Sequence, residues 1–188
     1  MCEPARVKRL LSGAVGLAAV VLTAAPASAA HLTLADPTGD RTGRGLDLTG
    51  GTLRNLHHRV VVDVDVARSV RGDLIVSVDP RHGPGVRLVS EYRPAGHTRN
   101  LVLEHAFTDP EPDPASDAAS GRSSGRVRCH GFRVRWSADR PTVRLIMPAT
   151  CLDGGDYDAV RFAVLTERRA DTDYLPDGAA ASSWVARG

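Results

Sequence analysis

The sequence predicts an all-β domain: an antiparallel β-sandwich, jelly-roll or immunoglobulin-like, of about eight or nine short strands. Three observations carry this. Val60, Val62, Val64 and Val66 alternate with Val61, Asp63, Asp65 and Ala67, a period of two with one wholly apolar face. Eighteen Gly and twelve Pro in 188 residues break the chain into segments too short for ordinary helices. No segment repeats its apolar residues at the helical period of 3.6. Alternation alone does not separate a sandwich from a closed barrel, and no internal repeat of fixed period is present.

Residues 1–29 stand apart from this pattern. Arg6, Lys8 and Arg9 form a basic start, residues 10–30 carry no charge, and Pro26 precedes the small-x-small run Ala27-Ser28-Ala29. That is the form of a secretory signal peptide cleaved after Ala29, followed by one β-sandwich domain over 30–188. An uncleaved anchor is long enough to span a bilayer, but Pro26 and the Ala-x-Ala site favour cleavage. The expected location is extracellular, with no membrane attachment once the signal is removed. The segment takes Glu3, Arg6, Lys8 and Arg9 with it, so the formal charge of +2 falls to zero and every remaining Lys/Arg position is arginine. A neutral domain is a poor polyanion trap overall, and no nucleic-acid partner is expected. Cys2 leaves as well, and Cys129 and Cys151 remain as a pair expected to oxidise to one disulfide.

The elements follow in order. Residues 46–56 form a strand that pairs with the valine run around a turn at Asn55-Leu56-His57-His58. Residues 73–79 end at Pro80, and 81–85 turn on Gly and Pro. Val86–Tyr92 ends at Pro94-Ala95-Gly96, and 99–107 follows. From 108 to 125 the chain holds three prolines, several acids and no large apolar side chain, so a mobile loop is expected. Residues 126–136 resume the alternation. Its phase changes at His130-Gly131, where glycine suits a bulge or bend. Residues 142–147 place Val143, Leu145 and Met147 on one face. Pro148 then opens a single helical turn toward Leu152, which the disulfide would tie to the strand holding Cys129. Residues 159–165 are the last clear strand, and Tyr174 and Trp184 suggest a tail packed back on the domain.

Acid-rich turns are the first candidate site. Asp36, Asp40 and Asp47 precede the first long strand, and Asp171 and Asp173 lie near the C-terminus. Hard cations such as Ca²⁺ take several carboxylate and carbonyl oxygens, which Asp/Gly turns supply. The same residues are ordinary turn formers, and none of these segments has EF-hand spacing. Calcium is therefore the one cofactor to test. Arginines are the second candidate. Arg133 and Arg135 point opposite Phe132, Val134 and Trp136, and Arg144 and Arg161 alternate in the same way, giving a stripe for an anionic polymer or for pairing with Asp63 and Asp65. Phe132, Trp136 and Phe162 are expected to be buried. That leaves Tyr92, Tyr157, Tyr174 and Trp184 as possible platforms for carbohydrate stacking, with Tyr174 and Trp184 the candidates beside Arg133 and Arg135. No catalytic residue is assigned. The seven histidines include no zinc-binding H-x-x-x-H pair, and there is no G-x-S-x-G elbow, P-loop or Rossmann fingerprint.

Asp36-Pro37-Thr38-Gly39-Asp40, Asp47-Leu48, M-P-x-x-C-L at 147–152, D-x-D-Y-x-P at 171–176 and W-V-x-R-G at 184–188 together resemble small exported proteins of actinobacteria. The resemblance implies an exported single β-sandwich domain. A remoter similarity is to carbohydrate-binding and DOMON-like sandwiches, on architecture and the early Asp/Gly turn. The function expected is a secreted, non-catalytic module binding an extracellular ligand, a carbohydrate or cell-envelope polymer. A structural or inhibitor-like protein-interaction module is the alternative. A hydrolase with a scattered triad comes third.

Overall fold

The computed structural model describes residues 30–108 and 125–188. The signal peptide expected over 1–29 lies outside the described residues, as does all but the two ends of the loop expected at 108–125. The described chain is built from eleven strands: β1 (His31–Ala35), β2 (Leu48–Leu56), β3 (Arg59–Val66), β4 (Gly72–Pro80), β5 (Val86–Tyr92), β6 (Arg99–Glu104), β7 (Arg133–Trp136), β8 (Thr142–Pro148), β9 (Ala159–Arg168), β10 (Asp171–Leu175) and β11 (Val185–Ala186).

The strands form two sheets, ordered β1-β2-β3-β8-β7 and β10-β9-β4-β5-β6, with β11 also paired to β9. Every pairing is antiparallel. With β2 to β10 lettered A, B, C, C′, C″, D, E, F and G, the sheets read A-B-E-D and G-F-C-C′-C″. That is the neighbour order of a variable-type immunoglobulin sandwich. The jelly-roll and barrel alternatives are thereby set aside.

The valine run behaves as its spacing requires. Val60, Val62, Val64 and Val66 of β3 are buried, while Asp63 and Asp65 face outward. Val143, Leu145 and Met147 of β8 continue that inner face, and Leu74, Val76, Val78, Val160, Phe162 and Val164 meet them from the second sheet. Burying each such side chain is worth about 1.5–3 kcal/mol, so these faces fix which side of each strand is the core.

Several expectations are corrected. Strands number eleven rather than eight or nine, because β1, β10 and β11 are edge elements of five residues or fewer, too short for their pattern to stand out. β6 stops at Glu104, since His105 takes a left-handed conformation with φ of 63°. Only Arg133–Trp136 of residues 126–136 is a strand. Residues 127–131 form a turn ending at Gly131, with φ of 93°, so Cys129 sits in that turn rather than on a strand. The Cys129–Cys151 disulfide joins this turn to the short 3-10 turn Ala149–Cys151, which Pro148 precedes, and brackets the β7–β8 hairpin. Phe162 is buried as expected, but Phe132 and Trp136 are only half-buried. Tyr157 is buried and donates its hydroxyl to Asn55 Oδ1, which removes it from the possible platforms. The tail does pack back: Asn55 Nδ2 donates to the Val185 carbonyl at 3.0 Å, and Gly188 N–H to the Asn55 carbonyl at 2.9 Å.

The sandwich has two open sides. On one, β2 lies against β9 and β10. On the other, Trp136 of β7 stacks on Tyr92 of β5 at 3.9 Å and donates Nε1 to Ser90 Oγ, while Arg126 bridges to Leu103 of β6.

Candidate metal centre

The β1–β2 link, residues 36–47, crosses the first open side and is stitched to β10. Thr42 N–H donates to the Thr172 carbonyl and Thr172 N–H to Thr42 Oγ1. Arg44 N–H donates to Asp171 Oδ2 at 2.8 Å, and Leu48 N–H to Asp173 Oδ2 at 2.7 Å. Gly43 makes this closeness possible. Its φ is 78°, and a Cβ there would collide with the Asp171 carboxylate.

This stitching brings Asp36, Asp40 and Asp173 together, with one carboxylate oxygen from each within 4.8 Å of the others. Asp36 follows the last residue of β1. Asp173 points inward from β10 and is only 6% exposed, whereas Asp40 is exposed. Asp173 is anchored by two backbone donors, Leu48 N–H and its neighbour Tyr174 N–H. Asp36 Oδ2 is shielded from solvent and has no hydrogen-bond partner. Burial raises the Asp36 pKa to about 7, helped by the carboxylates of Asp173, Asp40, Asp177 and Asp47. Burial also raises Asp173, against the stabilising N–H of Leu48. An acidic group held so close, with an orphaned oxygen, lacks a positive partner among the described residues. All donors are hard oxygens, with no histidine or cysteine, so the set suits Ca²⁺ rather than Zn²⁺.

Of the five acids expected to ligate a cation, the fold gathers these three and uses the other two differently. Asp47 is ion-paired with Arg41 at 2.5 Å and accepts Gly39 N–H at 3.0 Å, although Arg41 Nε itself has no acceptor. Asp171 holds the loop through Arg44 N–H. Both serve as supports for the three-carboxylate group.

The other candidates lie elsewhere. Trp184 precedes β11 and is 40% exposed, with the guanidinium groups of Arg161 and Arg81 at 4.8 and 5.3 Å from its ring centre. Tyr174 is half-buried on the outer face of β10, registered against Leu165. Arg133 and Arg135 are exposed on β7. Asp63 takes Arg144 and Arg54 instead of them, and Asp65 accepts the Thr142 hydroxyl. Among the described residues neither Arg133 nor Arg135 has an ion pair. His57 and His58 form the β2–β3 turn and are exposed. His82 reaches Asp158 at 3.6 Å with both side chains largely in solvent, which gives no positive sign of a catalytic relay. No protein-family model, curated protein or solved structure matches the chain.

Proposed function

We propose that this chain is an exported, non-catalytic β-sandwich module that binds Ca²⁺ at Asp36, Asp40 and Asp173 and engages an extracellular ligand, a carbohydrate or cell-envelope polymer. The observation carrying the cation site is the unpartnered, shielded Oδ2 of Asp36, whose carboxylate is gathered with two others. Calcium supplies the missing positive charge there and ties the β1–β2 link to β10 across the open side. The residues themselves hold and orient the link, and no bond-making step is assigned to them. The Cys129–Cys151 disulfide is in keeping with an oxidising compartment, and the form of residues 1–29 with export.

Melting with and without calcium tests the cation site. For a Kd of about 10⁻⁴–10⁻³ M, about 10 mM Ca²⁺ stabilises by about 1.4–2.7 kcal/mol, raising Tm by about 3–10 °C. Asp36→Asn and Asp173→Asn are expected to abolish the shift while remaining folded. An unchanged wild-type Tm at pH 7.5, or a shift that survives both substitutions, overturns the assignment.

A further inference from the structure

The second open side of the sandwich carries the opposite charge. In the antiparallel pairing of β7 with β8, Arg135 stands directly opposite Arg144 on the outward face. Like charges so placed repel and cost stability. Arg144 is committed to Asp63, Nε to Oδ1 at 2.6 Å and Nη2 to Oδ2 at 3.2 Å, and Asp63 also takes Arg54. The carboxylate is thus used up, and Arg135 is left without an ion pair among the described residues. A cleft of about 430 Å³ opens at this spot, lined by Arg135, Arg140 and Arg144 with Ser137 and Thr142. The acids nearby are the occupied Asp63, Asp65 bonded to the Thr142 hydroxyl, and the single turn residue Asp139.

The charge continues along the edge. Arg133 lies two residues from Arg135 on the same face of β7, about 6.6 Å away at the rise of a strand. Arg126 and Arg128, both exposed, line a second cleft of about 480 Å³ with His130 and Asn100. Arg126, Arg128, Arg133 and Arg140 likewise have no ion pair among the described residues.

We propose that this arginine edge binds an extended phosphodiester-linked polymer, with Arg135, Arg140 and Arg144 around one phosphate and Arg133, Arg128 and Arg126 following the chain. Asp63 takes one fork from Arg144 and a further contact from Arg54, so both of its oxygens are filled within the protein. A phosphodiester directs its two free oxygens to different sides, where Arg135 can meet one with its whole fork and Arg144 the other with the Nη1 that Asp63 does not occupy. Basic groups spread over two clefts favour a polymer over a single small anion. A nucleic acid fits less well, because Trp136, the one aromatic ring lining the first cleft, already has a face covered by Tyr92, which leaves no series of rings for successive bases to stack on. The inference rests on the reading of the chain as a non-catalytic extracellular binder, and names its ligand class.

The test uses the full chain in EDTA, so that failure of the calcium site leaves it unaffected. Poly(glycerol phosphate) is titrated by calorimetry at low and at physiological salt, beside polygalacturonate and a single-stranded oligothymidylate, with sedimentation of the protein alone. Poly(glycerol phosphate) is expected to bind, more weakly as salt rises. Arg133→Gln/Arg135→Gln should weaken it by about tenfold or more, with unchanged or higher Tm because a like-charge pair is removed. Arg140→Gln is a second variant, on the turn, with the same expected direction. The proposal fails if the polymer does not bind, or if the variants bind as the wild type does. It fails equally if polygalacturonate or the oligonucleotide binds as tightly, or if the low-salt behaviour is self-association lost in the double variant.

Discussion

At the scale of single residues, Asp36 and Asp173 are paired with too much negative charge. The folded-state pKa of Asp36 lies near 7, well above the usual carboxylate value, because its surroundings disfavour the ion. The folded protein therefore binds a proton between about pH 4 and pH 7 that the unfolded chain has released, and Asp173 acts in the same direction. Without calcium, stability falls as pH rises through this window and levels off above it. Urea unfolding from pH 4.5 to 8 in EDTA should show this decline, and Asp36→Asn should flatten it. The variant should also raise the cation-free Tm at pH 8 by about 2–4 °C, corresponding to about 1 kcal/mol. A wild-type curve that rises with pH would show that the three carboxylates are not crowded in solution.

At the scale of elements, two devices hold regions that the strand ladder does not. The link 36–47 has one apolar anchor, Leu46, buried in the core at its end, and before that it is held by hydrogen bonds to β10. The turn 127–131 is tied to a strand only at its start, where Val127 N–H donates to the Val102 carbonyl of β6, and the disulfide, closing 22 residues, fastens the rest beside β8. The chain-entropy cost of a loop of that size gives the crosslink about 3 kcal/mol. Cys129→Ser/Cys151→Ser should therefore lower Tm by about 6–12 °C. Arg128 lies in this turn and Arg126 just before it, so the same variant should also weaken phosphodiester binding, whereas the calcium shift should persist. Loss of the calcium response in this variant would mean that the two sides of the sandwich do not fold independently of each other's ties.

At the scale of the whole molecule, a formal charge near zero conceals two poles. Acids gather where β1 and β2 meet β10, and arginines without an ion pair among the described residues gather where β7 meets β6. Four inter-strand spacings separate β1 from β7, about 19 Å, against a screening length of about 8 Å at physiological salt. Calcium binding at one side should therefore change polymer affinity at the other by less than about twofold in 0.15 M salt. Calorimetric titrations of the polymer with calcium and with EDTA check this. A larger coupling would require a structural change passed through the core rather than a field.

Much of the fold is legible in the chain because burial imposes its period on the residues. The alternation of Val60 to Val66 and of Val143 to Met147 fixes β3 and β8 and the faces they turn to the core, and of three cysteines Cys129 and Cys151 are the pair expected once Cys2 is set aside with the expected signal peptide. β10 escapes notice for a physical reason: its inward positions are Asp173 and Leu175, so the residue that serves the site breaks the pattern that would reveal the strand. The acids themselves are visible as turn residues, but nothing local joins Asp36 to Asp173. Only the closing of β2 against β10 brings them within reach, and the pairing of β7 with β8 likewise sets Arg135 against Arg144. Sequence alone thus determined which face of the long strands is buried, since that depends on local period, while Phe132, Trp136 and Tyr157, at strand ends and turns, took their burial from the packing around them. The tertiary structure decided which charges meet, since that depends on which strand edges come together.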